Sequence, residues 1–331
     1  MVEFFDAIIA YYMSRIREYM PIKKYFLTQK VMIRVSLSLV PLVFFAIYLF
    51  GWRSFFVIIS ILIFGIATEA HFTVRKGKPV TSAVLVTCLI YALSLPPTIP
   101  FWIAITGIIT GVTFGKMVFG GFGQNIYNPA MVGRCFIYIA FPKQMTGSWI
   151  DPMWGGMGGF AAWKGSVDAV TRATPLVQIR EGLLHSVYDL IVGNSSGSMG
   201  ETSVLLILAA GLFLVYKKAA SWRLMVSCIA GGFISAFMFR MFGGGPPLIY
   251  TFISGAFLFG SIFIVTEPIT APKTGSGQII YGLIVGGLTV ILRKYSNFPE
   301  GFMFSILLMN AFVPLIDLAV KRTVKIKQAA R

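Results

Sequence analysis

Apolar residues run through this chain in long blocks separated by short polar stretches. Ten blocks, 36–51, 54–70, 81–95, 100–118, 131–142, 202–216, 222–241, 248–266, 278–293 and 301–320, are almost free of charge. About 20 apolar residues suffice for a helix to cross a bilayer, and shorter blocks read as tilted, buried or re-entrant pieces. The pattern predicts an all-α polytopic membrane protein of about ten transmembrane helices. Between the fifth and sixth blocks lies the one long polar segment, 143–201. The chain therefore divides into an N-terminal segment (1–35), a first transmembrane half (36–142), the polar segment (143–201), a second half (202–320) and a basic tail (321–331).

The two halves echo each other. Thr81-Ser82-Ala83-Val84-Leu85-Val86 opens the third block and Thr202-Ser203-Val204-Leu205-Leu206-Ile207 the sixth; Lys116-Met117-Val118-Phe119-Gly120-Gly121 is matched by Arg240-Met241-Phe242-Gly243-Gly244 at similar separation. An odd number of crossings separates the copies, so they run in opposite directions. Such inverted repeats hold their sites where helices break and expose backbone groups. Three breaks are visible: Gly120–Ala130, Gly243–Pro247 and Thr266–Gly275. Glycine permits close backbone approach and proline removes an N–H, so none is continuous helix. Irregular backbone at membrane depth must be buried in protein or line a cavity; a ligand pocket and a plain re-entrant turn are the two alternatives. The third break carries Glu267, an ionisable group at the end of an apolar span and hence a candidate site residue; capping the next segment or pairing with Lys273 is its structural alternative. Glu69 reads as a hydrated loop-edge carboxylate.

Composition agrees, with 56% hydrophobic and 12% charged residues against about 25% charged in soluble domains. The net charge of +16 raises nucleic acid as a partner, but its placement argues otherwise. With the N-terminus inside and ten crossings, 20 of the 28 Lys and Arg fall in inner segments, and 8 outside, namely Arg53, Lys143, Lys164, Arg172, Arg180, Arg240, Arg293 and Lys294. This bias puts both termini in the cytoplasm and 143–201 outside, and no basic face with interleaved aromatics points to nucleic acid. Residues 1–33 carry charge throughout and no long apolar core, so a cleavable signal is not expected. Residues 4–20, with Phe4, Phe5, Ile8, Ile9, Tyr12 and Ile16 on one side, predict an amphipathic helix on the inner surface or a solvated helix against a partner subunit.

Cys88, Cys135 and Cys228 stand alone in apolar stretches, without metal-site spacing, and read as inert buried thiols. The two histidines, His71 and His185, cannot supply paired intramembrane haem ligands. No metal site and no complete active site is expected. In 143–201, Trp149, Trp154 and Trp163 read as headgroup anchors, and Gly155-Gly156-Met157-Gly158-Gly159 as a flexible surface loop, since no strand precedes it and its spacing is not a dinucleotide fingerprint.

The nonapeptide Asp168-Ala169-Val170-Thr171-Arg172-Ala173-Thr174-Pro175-Leu176 resembles the flavin-attachment motif of the RnfD/NqrB family, membrane subunits of ion-pumping ferredoxin–NAD and NADH–quinone oxidoreductases. The resemblance covers nearly the whole chain and includes Gly120–Asn125, Tyr127–Ala130, Leu95-Pro96-Pro97 and Gly197–Ser203; length is closer to RnfD. It implies that Thr174 is esterified to the phosphate of FMN, with Asp168, Thr171, Arg172 and Ala173 around it. Arg172 stands where many members have Gly and would place a cation near the phosphate. It also implies a second, non-covalent flavin, riboflavin, within the helix bundle. Backbone breaks point to Gly120, Gly121, Gly123, Asn125 and Asn128, with Glu267 and Thr270, as its site. The implied setting is a bacterial or archaeal cytoplasmic membrane. The implied partners are other Rnf-type subunits, membrane, iron–sulfur and external flavin subunits among them, together with a flavin transferase for maturation. Electron relay coupled to Na+ or H+ movement is the expected function. The alternatives are an NqrB-like quinone-reducing subunit and a non-redox transporter or channel on a urea-transporter-like bundle.

Overall fold

Every apolar stretch is helical, as expected where the backbone must satisfy its own hydrogen bonds in apolar surroundings. The computed structural model describes residues 26–147, 149–161, 175–180, 186–243, 245–296 and 300–329. The helices are α1 (Lys30–Phe50), α2 (Trp52–Val74), α3 (Ala83–Leu93), α4 (Phe101–Val112, continued by a π-helical turn over Thr113–Met117), α5 (Pro129–Ala140), the short α6 (Pro142–Thr146), α7 (Pro175–Arg180), α8 (Val187–Val192), α9 (Val204–Tyr216), α10 (Trp222–Met241), α11 (Leu248–Ile253), α12 (Phe257–Phe259, continued by a π-helical turn over Gly260–Ile264), α13 (Gly275–Tyr295) and α14 (Phe302–Ala329). By length and composition α1, α2, α10, α13 and α14 over Phe302–Val324 can cross a membrane; the others in the apolar stretches are shorter. The stretch 248–266 is split, because Gly255 takes a left-handed conformation (φ +64°) between α11 and α12.

Small residues set the packing, as is usual where apolar surface alone does not drive helices together. A Cβ on Gly286 of α13 would lie 1.9 Å from the Cys228 carbonyl of α10, and one on Gly133 of α5 would lie 2.4 Å from the Gly107 carbonyl of α4. At α5 the sequence specifies the start: Asn128 Oδ1 accepts from the Met131 N–H (3.2 Å), and Pro129 takes the first helical position.

Loops gather at two ends. At the first, the two-residue strands β1 (Phe26–Leu27) and β2 (Val80–Thr81) pair in parallel, Arg34 Nη1 donates to the Lys217 carbonyl (2.9 Å), and the turns 118–128 and 265–274 meet. At the opposite end, residues 149–161 dock on the corner between α1 and α2. Met153 N donates to the Leu49 carbonyl (2.7 Å), and Trp52 Nε1 donates to the Phe160 carbonyl (2.9 Å). The glycine run is therefore not a free surface loop: Gly159 is buried, and a Cβ there would meet Gly51 N at 2.4 Å. Nor is Trp149 a headgroup anchor, being 6% exposed; Trp154 is exposed, edge-on to Phe45 and Tyr48. Trp163 and the amphipathic segment 4–20 lie outside the described residues.

Candidate functional site

The breaks at 118–128 and 265–274 come together at the first end, and a buried asparagine on α14 joins them. Asn310 Oδ1 accepts from the Asn128 N–H (3.1 Å), while its Nδ2 donates to the Tyr281 hydroxyl (2.8 Å) and the Thr270 carbonyl (3.4 Å). One side chain thus satisfies groups that the two interruptions leave orphaned, as buried polar groups require. Thr270 Oγ1 donates to Glu267 Oε2 (3.0 Å), and the Asn125 side chain faces the same carboxylate. Lys273 Nζ does not pair with Glu267; it donates to the Pro268 and Ile269 carbonyls. Gly120, Gly121 and Gly123 all adopt positive φ (+113°, +101° and +87°), which only glycine tolerates freely. Asp317 of α14 closes the second break: its carboxylate accepts from Lys273 N (3.0 Å), Thr274 N (3.1 Å) and Thr274 Oγ1 (2.6 Å), capping α13. A cavity of about 520 Å³ flanks this break, lined by Thr266, Pro268, Ala271, Pro272 and Lys273 among others.

Next to the breaks lies a buried ion pair. Lys116, on the first π-helical turn, places Nζ 2.6 Å from Glu69 Oε2 and 2.9 Å from Thr81 Oγ1. Thr81 gives Glu69 Oε1 two donors, its hydroxyl (2.6 Å) and its N–H (3.0 Å). Glu69 is fully buried and Lys116 is 2% exposed, which corrects the reading of Glu69 as a hydrated loop-edge acid. An acid near a helix end looks solvated in sequence; the lysine that neutralises it is 47 residues away. In the matched positions of the second half, Thr202 is buried but Arg240 is not, so Lys116 and Arg240 do not share an environment.

The opposite end holds a second charged cluster. Arg134 of α5 pairs with Glu300 and stands 3.7 Å from Glu201 Oε1. Arg293 of α13, 7% exposed, donates through Nη1 to the Thr251 carbonyl (2.9 Å) and lies over the Phe257 ring (5.6 Å). Among the described residues its Nε and Nη2 have no hydrogen-bond partner. Arg293 lines a cavity of about 480 Å³, together with Leu176 and Ile179 of α7, the break residues Gly245, Pro246 and Pro247, and Tyr250. Arg53 is also buried, bonded to the Pro97 and Ile99 carbonyls (2.7 and 2.8 Å).

These four cations change the charge count. Lys116, Arg134, Arg53 and Arg293 are buried in the bundle rather than carried by loops, which leaves 18 Lys and Arg at the positions expected inside against 6 at those expected outside.

Of the residues singled out in sequence, Gly120, Gly121, Gly123, Asn125, Asn128, Glu267 and Thr270 are brought together at the first end. Asp168, Thr171, Arg172, Ala173 and Thr174 lie outside the described residues; the residue after Thr174, Pro175, opens α7. Sequence reasoning passed over Asn310, Asp317 and the set Arg134, Glu201, Glu300 and Arg293. A signal existed for each, since a polar or charged side chain in or beside an apolar helix is a functional candidate by default.

Residues 21–325 match the model of a family described as NQR2, RnfD, RnfE. The chain is 34% identical over 319 residues to a subunit of the ion-translocating oxidoreductase complex of Stutzerimonas stutzeri, covering 87% of this chain and 89% of that protein. It is 37% identical over 256 residues to a subunit of the Na(+)-translocating NADH-quinone reductase of Chromohalobacter salexigens, covering 75% of this chain and 61% of that protein. The corresponding reductase subunit of Haemophilus influenzae is 34% identical over 296 residues, with 83% and 69% covered.

Proposed function

The chain belongs to the NQR2, RnfD, RnfE family, and on that premise we propose that it is the membrane electron-relay subunit of an Rnf-type oxidoreductase. It carries FMN esterified to Thr174 and relays electrons between ferredoxin and NAD pools while the complex moves Na+ or H+. The observation that carries this reading is the family match itself, which extends from 21 to 325, so that the Asp168–Pro175 motif lies inside it. An Rnf-type role is favoured over an Nqr-type one by coverage, 89% of the Stutzerimonas protein against 61% of the Chromohalobacter one.

The residues present fit such a group. Beside Pro175, a cavity of about 480 Å³ is lined by Leu176 and Ile179 and by Arg293, a buried cation with unpartnered donors among the described residues. The flavin supplies electron storage that no side chain here offers; the protein holds it, excludes water and tunes its electronics. A second, non-covalent flavin, riboflavin, fits the facing breaks, where Asn125 Oδ1 is buried without a partner among the described residues. Gly120, Gly121, Gly123 and Asn128 would supply close backbone there, and Glu267 and Thr270 polar contacts.

The reading includes a ten-span bundle of two inverted halves in a bacterial or archaeal cytoplasmic membrane, with both termini cytoplasmic and Thr174 external. The 18 to 6 distribution of the remaining cations supports that orientation. Other Rnf-type subunits and a flavin transferase are its partners. The 37% identity to a quinone reductase subunit favours one second reading, a quinone-reducing role; reduction of quinone rather than NAD by the purified complex would select it.

Denaturing electrophoresis under ultraviolet light tests the attachment. The band from cells co-expressing a flavin transferase is expected to fluoresce, and Thr174→Val to be dark; a dark wild-type band would sink the assignment.

A further inference from the structure

We propose that the cavity between the α9–α10 turn and the break at 265–274 holds the headgroup of an anionic phospholipid, with Lys218 and Lys273 as the cations that answer its phosphate. This goes beyond the electron-relay reading and does not depend on the attachment at Thr174. The depth is that of a headgroup. Tyr216 and Trp222, the last residue of α9 and the first of α10, are 73% and 56% exposed, as aromatic side chains at a membrane boundary are. The turn between them carries Lys217 and Lys218, and Arg223 follows. Basic pockets between membrane helices take anionic headgroups. The volume, about 520 Å³, lies inside the roughly 300–1,000 Å³ typical of small-molecule sites.

The turn and the break are fixed to each other. Ser221 Oγ donates to Gln278 Oε1 (2.7 Å), and Gln278 Nε2 donates to the Pro272 carbonyl (3.2 Å). Val215, Ala220, Leu224 and Pro268 give the cavity an apolar lining suited to the start of acyl chains, and Ser221, Lys218 and Lys273 a polar one. Among the described residues no acid lines it, and no ion pair involves Lys218, Arg223 or Lys273. The acids of this end are engaged elsewhere, Glu267 by Thr270 and Asp317 by Lys273 N and Thr274. Lys273 Nζ donates to the Pro268 and Ile269 carbonyls, which leaves one of an ammonium's three donors.

Lys218 supplies a second, independent sign. It is exposed and has φ +52°, the one positive value among the described non-glycine residues. Its N–H donates to the Val215 carbonyl (3.0 Å) and Ala219 N to the Leu214 carbonyl (2.8 Å), a helix ending in which glycine is usual. A lysine there carries backbone strain that Gly or Asn would avoid, and such outliers point to function. Attraction to the carbonyl end of α9 does not account for it, because Lys217 already supplies a cation one residue earlier.

The test is native mass spectrometry of the full chain in detergent, titrated with phosphatidylglycerol or with zwitterionic phosphatidylcholine. The first phosphatidylglycerol is expected to be retained at several-fold lower concentration than the first phosphatidylcholine. Lys218→Asn suits the left-handed backbone and removes one charge; it should raise the half-saturating phosphatidylglycerol concentration about fivefold. Ala220→Trp fills the cavity without changing charge and should weaken retention as well. Lys76→Asn, at an exposed lysine of the same end outside the cavity, should leave it unchanged. Equal retention of the two lipids overturns the proposal, as does wild-type retention in Lys218→Asn and Ala220→Trp, or an equal loss in Lys76→Asn. Displacement of the lipid by excess inorganic phosphate overturns it too, by marking a site for free phosphate.

Discussion

Lys116→Met should be among the most damaging single changes in the bundle, and its cost follows from the Glu69 site. The carboxylate is fully buried and its cation is 2% exposed, so water cannot replace the ammonium once it is gone. Thr81 would still give Oε1 its hydroxyl and N–H, but Oε2 would lose the donor now at 2.6 Å. Removing one partner of a buried pair costs about 3–5 kcal/mol. Glu69→Gln together with Lys116→Met removes both charges while the new amide oxygen can still accept from Thr81. The double variant should therefore be clearly more stable than the sum of the two singles, by a coupling energy of about 2–3 kcal/mol. Thr81→Val, which removes one hydroxyl, should cost about 1–3 kcal/mol. The assay is unfolding of the detergent-solubilised protein in a denaturing-detergent titration, run on wild type, both singles and the double. A Lys116→Met loss below about 1 kcal/mol, or a double variant as unstable as the sum of the singles, would refute the reasoning.

The helix contact between α10 and α13 predicts that Gly286→Ala destabilises strongly, at the upper end of the roughly 1–3 kcal/mol of overpacking, because the new Cβ would lie 1.9 Å from a carbonyl. Gly287→Ala, whose Cβ would first meet the Ser235 hydroxyl at 3.0 Å, should be mild; thermal unfolding of both compares them. Asp317→Ala removes three bonds to Lys273 and Thr274 and should cost about 1–2 kcal/mol, with faster amide exchange at Gly275–Gln278. For orientation, Thr174→Cys should react with an impermeant maleimide in intact cells, in a background where Cys88 and Cys228 are buried and Cys135, half-buried rather than buried as its apolar stretch suggested, is replaced by Ser; reaction only after lysis would reverse the assigned sides.

Apolar blocks located the helices because a bilayer-length run of hydrophobic residues has few alternatives to helix, and the departures came where packing decides. Gly255 splits one block through a left-handed φ that no periodicity announces. The Gly155–Gly159 run looked free in sequence because its partner, the corner at Gly51, is about a hundred residues distant. Breaks were legible from Gly and Pro, and so was the company that Gly120, Asn125 and Asn128 keep with Glu267 and Thr270. What joins them was not. Asn310 sits in an unbroken apolar helix, and its role exists only once Asn128 and Thr270 have arrived on either side. Glu69 failed for a like reason: whether an acid is hydrated or paired depends on what folds against it, and Lys116 is remote in the chain.

The π-helical turn that carries Lys116 sets how this helix can change over generations. A π turn holds one more residue than the α geometry beside it, so losing a single residue from Thr113–Met117 would still leave a continuous helix. It would restore an ordinary α turn and leave the faces beyond nearly where they are, because a π turn closes over one residue more than an α turn for about the same rotation. An unbroken α-helix losing one residue would instead turn everything beyond by about 100°. A one-residue change of length is therefore absorbed here, and what it puts at risk is Lys116 alone, which sits inside the widened turn and reaches Glu69 from there.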